Sequence, residues 1–277
     1  MYRIHLFMFV FTVGLINAMI RPILEHINEY GIRESLFGGF GISFIVWFAL
    51  YCSFNLLHQS TSSQINKRDI VISLITLLLL CIPSALLSWV TLSIFAGYCS
   101  FFATALHTKL RNACLIMMAI ALRVPLSDLC LKLSADAFLE LDAIATLTIV
   151  KTIDPEITRQ GNILIGSSGH ELLIMTGCSS FTNVSLALLL WFAIVRTQIL
   201  VWNQNFNLYI LPLCILIMSV NIFRLSMMTL SVDLYYFYHD GLGADITNTA
   251  ILLIALLTAL TAIHINKTSK KRTQHVS

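Results

Sequence analysis

Charge is what this chain has least of. Only 11% of its 277 residues are Asp, Glu, Lys or Arg, while 57% are hydrophobic, and the mean hydropathy is +0.84. A soluble domain carries about 25% charge, so no polar shell can be assembled and lipid must be the main solvent. The net charge of +3 is too small to mark a nucleic-acid partner. Signature motifs are missing as well. There is no CxxC and no Cys/His cluster at metal spacing among the seven cysteines, which speaks against a zinc site or a dithiol redox centre. His170-Glu171 lacks the second histidine of a zinc protease helix, and no GxSxG, Walker or dinucleotide motif stands in a credible context. No A-x-A site follows the apolar run 4–20, which Arg21-Pro22 ends. That run therefore reads as a retained first span rather than a signal peptide. No repeat and no linker divides the chain, so a single membrane domain is expected over 1–277.

What is present is a series of long apolar runs. A bilayer core needs roughly 17–25 apolar residues per helix. Candidate spans are 4–20, 38–57, 70–88, 89–107, 111–124, 179–201, 207–231 and 246–266. The expectation is an all-α polytopic membrane protein of about eight transmembrane helices. Cys52, Cys81, Cys99, Cys114 and Cys214 fall inside these runs and read as small buried hydrophobes; Cys130 lies on a more polar helix and has no evident role. With both ends inside, the inner segments hold Arg3, Lys67, Arg68, Lys109, Arg111 and the basic tail of Lys267, Lys270, Lys271 and Arg272, as the positive-inside rule requires. Of the fourteen acids only Asp69 is then inside.

The largest outer segment is 125–178. Leu129, Leu133, Ala137 and Leu141 recur at helical spacing beside Asp128, Lys132, Asp136 and Glu140, so 127–150 reads as an amphipathic helix lying on the outer surface or as a tilted span. Asp154-Pro155 signals a loop. Asn162–Ile165 and Glu171–Ile174 flank Ser167-Ser168-Gly169-His170, which reads as a small extracytoplasmic β-hairpin before the sixth span.

Three residues could carry chemistry. Cys178 lies in Thr176-Gly177-Cys178-Ser179-Ser180, where the hairpin meets span six. A helix start has unpaired N–H groups and positive potential, and the thiolate is the nucleophilic form of cysteine. A small buried thiol at a helix end is the competing explanation. Arg224, in Asn221-Ile222-Phe223-Arg224, is seven residues before the outer end of span seven, roughly 10 Å deep. An arginine there costs a few kcal/mol even on lenient insertion scales, so it needs a purpose or a compensating partner. Asn221 shares its helix face and can orient the guanidinium; snorkelling, or pairing with an outer acid, is the alternative. His239 follows Tyr235-Tyr236-Phe237-Tyr238 in an outer loop. Histidine exchanges protons near neutral pH, although an interfacial aromatic belt also accommodates one.

In order and spacing these segments resemble the exosortase/archaeosortase family of membrane cysteine transpeptidases. The resemblance runs from about Ala119 to Gly243. It is carried by Arg123-Val124-Pro125-Leu126 at a span exit, Arg159-Gln160-Gly161-Asn162 at the hairpin entry, Met175-Thr176-Gly177-Cys178-Ser179-Ser180 as nucleophile box, Asn221-Ile222-Phe223-Arg224, and His239-Asp240-Gly241. It implies Cys178 as nucleophile, Arg224 as oxyanion-stabilising residue and His239 as general acid/base, with Asn221 and Ser179 in support. Residues 111–266 would then form the catalytic region and 1–110 a scaffold. The site would face the extracytoplasmic side of a bacterial inner membrane and need no metal or organic cofactor. The partner would be a membrane-anchored protein with a C-terminal sorting signal: a short motif, an apolar span and a basic tail. Gly177, Ser180 and Phe181-Thr182-Asn183 depart from the family's usual residues, which leaves the substrate motif open. A transporter with Arg224 as an anion site, a non-catalytic assembly factor binding a partner helix, and a redox pair of Cys178 with Cys130 are the rival readings.

Overall fold

The computed structural model describes residues 2–60, 64–103, 108–167, 169–198 and 207–274. The chain forms two compact units: Met1–Leu126 with Phe192–Trp202, and Ser127–Trp191 with Asn203–Ser277. His107, His275 and Ser168, and the last residues of the predicted spans 89–107 and 179–201, lie outside the described residues.

The helices of the first unit are α1 (Arg3–Phe37), α2 (Phe44–His58), α3 (Lys67–Leu80) and α4 (Ala85–Tyr98, continued by a π-helical turn Cys99–Ala103). It also takes the start of α5 (Thr108–Val150) and the end of α6 (Ser180–Gln198). α3 and α4 pack on α1. Phe7 and Phe11 meet Phe95 edge-on, at 5.6 and 5.2 Å between centroids, and all three are buried. Edge-to-face rings add to the burial gain. Gly14 permits the close approach, since a Cβ there would collide with Leu92. Asn17 donates to Leu80 O (2.9 Å) and Ser88 Oγ (2.8 Å), satisfying a carbonyl that the end of α3 leaves open.

Polar groups collect at one end of this unit. Asp69 is buried in the first turn of α3. Its carboxylate accepts from Arg3 Nε (2.7 Å), Tyr98 OH (2.7 Å) and Asn66 N (2.9 Å). Tyr2 pairs with Gln64 and Lys109 Nζ reaches Gln59 Oε1 at 3.4 Å. The Asn112 amide donates to Arg196 O (2.9 Å), and Arg196 Nη1 donates back to Asn112 Oδ1 (3.3 Å). Arg196 is thus buried and held by protein.

The second unit is built from the rest of α5 and α6, α7 (Asn207–Leu230), α8 (Val232–His239), α9 (Leu242–Gln274) and a small sheet. Strands β1 (Thr158–Gln160), β2 (Ile163–Ile165) and β3 (Glu171–Leu173) are antiparallel in the order β1-β2-β3. Leu164 stands between Arg159 and Leu172 in register. Period-2 alternation points Leu164 and Leu172 inward, onto Leu139 and Ala143 of α5 and Leu225 and Met228 of α7.

The protein is a helical, multi-pass membrane protein, with several corrections to the sequence expectation. Among the described residues six helices are long and apolar enough to cross a bilayer: Arg3–Phe37, Ala85–Phe102, Thr108–Ser127, Ser180–Gln198, Asn207–Leu230 and Leu242–Asn266. Of the eight expected spans, the second and third are short helices, with 15 residues in α2 and 14 in α3. At 1.5 Å per residue these reach about 22 Å, short of a hydrocarbon core of about 30 Å. The third ends at Leu80 rather than at 88, because Pro83 follows in the turn before Ser84 caps α4. Pro22 does not end α1; it is exposed and removes only one backbone bond, and the break comes at Gly31 (φ 80°). Pro125 likewise lies within α5, so the span and the amphipathic helix 127–150 are one element with a kink at Ser134 (φ −144°, ψ 23°). The hairpin has a third strand, β1. Cys81 is exposed and Cys214 half-buried, while Cys52, Cys99 and Cys114 are buried as expected.

Asp69→Ala should destabilise the protein by about 3–5 kcal/mol, because it strands Arg3 beside Tyr98 in a largely buried site. Asp69→Asn, which keeps an acceptor, should cost less. Thermal unfolding in detergent, followed by tryptophan fluorescence, checks both.

Candidate active site

The path from sheet to membrane is short. The turn between β1 and β2 uses Gly161 at φ 60°, a conformation glycine adopts without penalty. Arg159 Nη1 bonds Gly161 O (2.7 Å) and pairs with Glu140 of α5 (3.0 Å). Asn162 clamps the exit strand from both sides: its Nδ2 donates to Ile174 O (2.8 Å) and its carbonyl accepts from Ile174 N (3.0 Å). Four residues on, Thr176–Cys178 forms a 3-10 turn, and α6 begins at Ser180.

Cys178 is half-buried against an apolar cluster of Leu139, Ala143, Leu164, Leu172, Ile174, Leu225 and Met228, which Tyr235 and Tyr238 of α8 also border. Its carbonyl accepts from Asn221 Nδ2 of α7 at 3.0 Å. The same amide group donates to Ser180 Oγ (3.1 Å), and Asn221 Oδ1 accepts from Asn183 Nδ2 (2.8 Å). Asn221 is fully buried. It was expected to orient Arg224; instead its bonds hold the turn that carries Cys178. Ser179 is buried and caps α6, its Oγ accepting from Thr182 N at 3.4 Å.

The other end of this network is Asp142, a residue that sequence reasoning counted only as an outer acid. Asp142 is 4% exposed and its Oδ2 accepts from Ser180 N at 2.8 Å. A carboxylate facing the first N–H groups of a helix is favourably placed. Burial nonetheless pushes its pKa up, and the hydroxyl and amide of Ser180 offset this only in part. Neither Asp142 nor Asn183 stands in a motif, and the spacing of 127–150 does not single out position 142.

Arg224 is half-buried on α7. Its Nε donates to Tyr238 O at 2.9 Å, in the last turn of α8. A cation at a helix C-terminus satisfies a carbonyl that the helix leaves open. Among the described residues no carboxylate pairs with it. Among the described residues its two Nη groups have no hydrogen-bond acceptor. His239 is not in a loop: it is the last residue of α8, a helix capped by Ser231, whose Oγ accepts from Leu234 N at 3.2 Å. The imidazole stacks on Tyr235 (5.0 Å between centroids, 17°). Its Nδ1 lies 2.8 Å from Asp240 Oδ1, off the hydrogen-bonding line, a contact that becomes an ion pair when the ring is protonated. Tyr235 also meets His170, which packs edge-on at 5.7 Å and bonds Met228 O through Nε2 at 3.1 Å.

Cys178, Arg224 and His239 therefore all belong to the second unit. Asn221 ties the thiol's turn to α7, and Tyr238 ties Arg224 to the residue before His239. Among the described residues no hydrogen bond joins the thiol to the imidazole or the guanidinium, and no group of His, Cys, Asp and Glu is arranged to hold a metal. Cys130 and Cys178 are both free thiols. No family model, curated protein or solved structure matches the chain.

The raised pKa of Asp142 has a defined consequence for stability. The folded state holds the proton more tightly than the unfolded chain does. Its contribution is therefore fully present below the ordinary aspartate value of about 3.9 and declines as pH rises through the higher folded value. Asp142→Asn, which keeps a carbonyl acceptor for Ser180 N, should flatten this part of the profile. Melting temperature in detergent between pH 4 and 8 measures it; identical wild-type and variant profiles would contradict the assignment.

Proposed function

We propose that the protein is a membrane-embedded cysteine peptidase or transpeptidase of exosortase-like type. Its partner would be a secreted protein anchored by a C-terminal sorting signal made of a short motif such as PEP, an apolar span and a basic tail. The observation that carries the reading is the linkage of the nucleophile turn to α7: Asn221 holds the Cys178 carbonyl, and Arg224 follows three residues later on that helix with two uncommitted Nη groups. The sequence motifs quoted above supply the rest. The active site would face the extracytoplasmic side of a bacterial inner membrane.

In this mechanism His239 takes the proton of the Cys178 thiol. The sulfur attacks the scissile carbonyl, and the oxyanion is met by the Nη groups of Arg224. Preorganised donors of this kind count most where water is excluded. The C–N bond breaks as His239 returns the proton to the leaving amine, leaving a thioester on Cys178. Water, or an acceptor amine or hydroxyl, then attacks the thioester and restores the thiol. Closure of the thiol–imidazole contact accompanies substrate binding, since catalytic hydrogen bonds are often long before the substrate arrives.

Co-expression with a reporter that ends in such a signal tests the proposal. Cys178→Ala should abolish processing while the protein still folds and inserts. Arg224→Lys should slow it by about 100-fold or more, because a point charge lacks the planar fork and one oxyanion donor is worth that much. His239→Ala should be similarly impaired, with partial rescue by added imidazole. A hydroxylamine-sensitive adduct on Cys178 would identify the thioester. Full processing by Cys178→Ala would refute the nucleophile and leave Arg224 as an anion site or a contact for a partner helix.

A further inference from the structure

Arg123 takes no part in the chemistry above. It stands in α5 about 22 Å along the helix from Thr108, towards the end of the first unit that lies opposite the Arg3–Asp69–Tyr98 cluster. There it lines a cavity of about 230 Å³ between α1, α2, α4 and α5. The wall is apolar, built largely from Ala18, Met19, Trp89 and Ile120, and Ser43 stands at the start of α2. Ser43 Oγ accepts from Ile45 N at 3.3 Å, so its own hydrogen remains available to donate. Among the described residues no carboxylate lines the space. The lining thus includes a cation and a hydroxyl donor among otherwise uncharged, largely apolar residues.

Its dimensions and position narrow the ligand. Pockets for whole drug-sized molecules run to about 300–1,000 Å³, so this one accommodates an anionic group and the carbons next to it. Arg123 stands four residues before the end of the apolar span Thr108–Ser127, about 6 Å along the helix from that end, within reach of a lipid headgroup. Arginine binds phosphate through two parallel N–H bonds, and its five donors allow this alongside a contact within the protein. We propose that this cavity binds the phosphate of an anionic phospholipid, held by Arg123 and Ser43, with the first carbons of the lipid against the apolar wall. The site is independent of the Cys178 chemistry.

Native mass spectrometry of the full chain in neutral detergent tests this with three probes: phosphatidylglycerol, phosphatidylcholine and inorganic phosphate. The wild type should retain phosphatidylglycerol at concentrations at least ten-fold below phosphatidylcholine, and inorganic phosphate should compete poorly. Arg123→Gln should abolish the preference. Val124→Trp, which fills the lining and keeps the charge, should also abolish it, and Arg123→Lys should weaken it several-fold. The inference is overturned by equal retention of the two lipids in the wild type, by an intact preference in Arg123→Gln or Val124→Trp, or by inorganic phosphate competing as well as the lipid does. Because Arg123→Lys and Val124→Trp leave the cation in place, a folding failure of Arg123→Gln leaves the test decisive.

Discussion

The buried amide of Asn221 is the interaction on which the second unit depends. In hydrocarbon each unpaired backbone or side-chain polar group costs several kcal/mol. The junction of a strand, a 3-10 turn and a helix start exposes many such groups at once. Asn221 accepts from Asn183 and donates to both Cys178 O and Ser180 Oγ, and Asp142 takes the amide of Ser180 from the opposite side. Three segments that are distant in sequence, around Asp142, Cys178–Asn183 and Asn221, are thereby locked by hydrogen bonds whose loss would strand a partner. Such a network specifies geometry more sharply than apolar packing does, because every member must be satisfied together.

The same economy of polar groups explains the surroundings. Arg224 resolves its cost at the membrane by closing the last turn of α8 through Tyr238 O. That turn ends in His239, so the helix which holds the imidazole is itself held by the guanidinium. The aromatic residues of α8 serve as packing, with Tyr235 in contact with the rings of both His170 and His239. In the first unit Asp69 has the corresponding part, gathering Arg3, Tyr98 and the start of α3. The two units solve one problem in different ways: a buried ion pair in the first, a chain of amides and hydroxyls in the second.

Much of this was legible in the chain. Apolar runs located the membrane helices, since hydropathy over about twenty residues is a strong signal. Two short apolar runs flanking the turn residues Ser167-Ser168-Gly169-His170 located the β2–β3 pair. The ends of elements were less legible. Pro22 and Pro125 read as stops, yet each forfeits one backbone bond within a long helix, and Pro83 was the proline that ended one. His239 read as a loop residue because aromatic and turn residues crowd about it. Ser231 as a cap and Arg224 at the far end make that segment a helix. Strand β1 was missed because three polar residues carry no alternation that distinguishes a strand from a loop.

For the candidate site, sequence alone singled out Cys178, Arg224 and His239, because a thiol before an apolar run, a cation within one and a histidine beyond one are anomalies of composition and position. Those anomalies are visible without coordinates. Sequence could not assign partners. That Asn221 holds the turn that carries Cys178 rather than the guanidinium, that Arg224 closes a helix end, and that Asp142 is buried against Ser180 all follow from contacts across 14 to 43 residues of chain. Hydropathy and spacing determine which segments enter the membrane. Which polar groups satisfy one another there is decided only when the helices pack, because hydrogen bonding acts over about 3 Å and no local pattern encodes it.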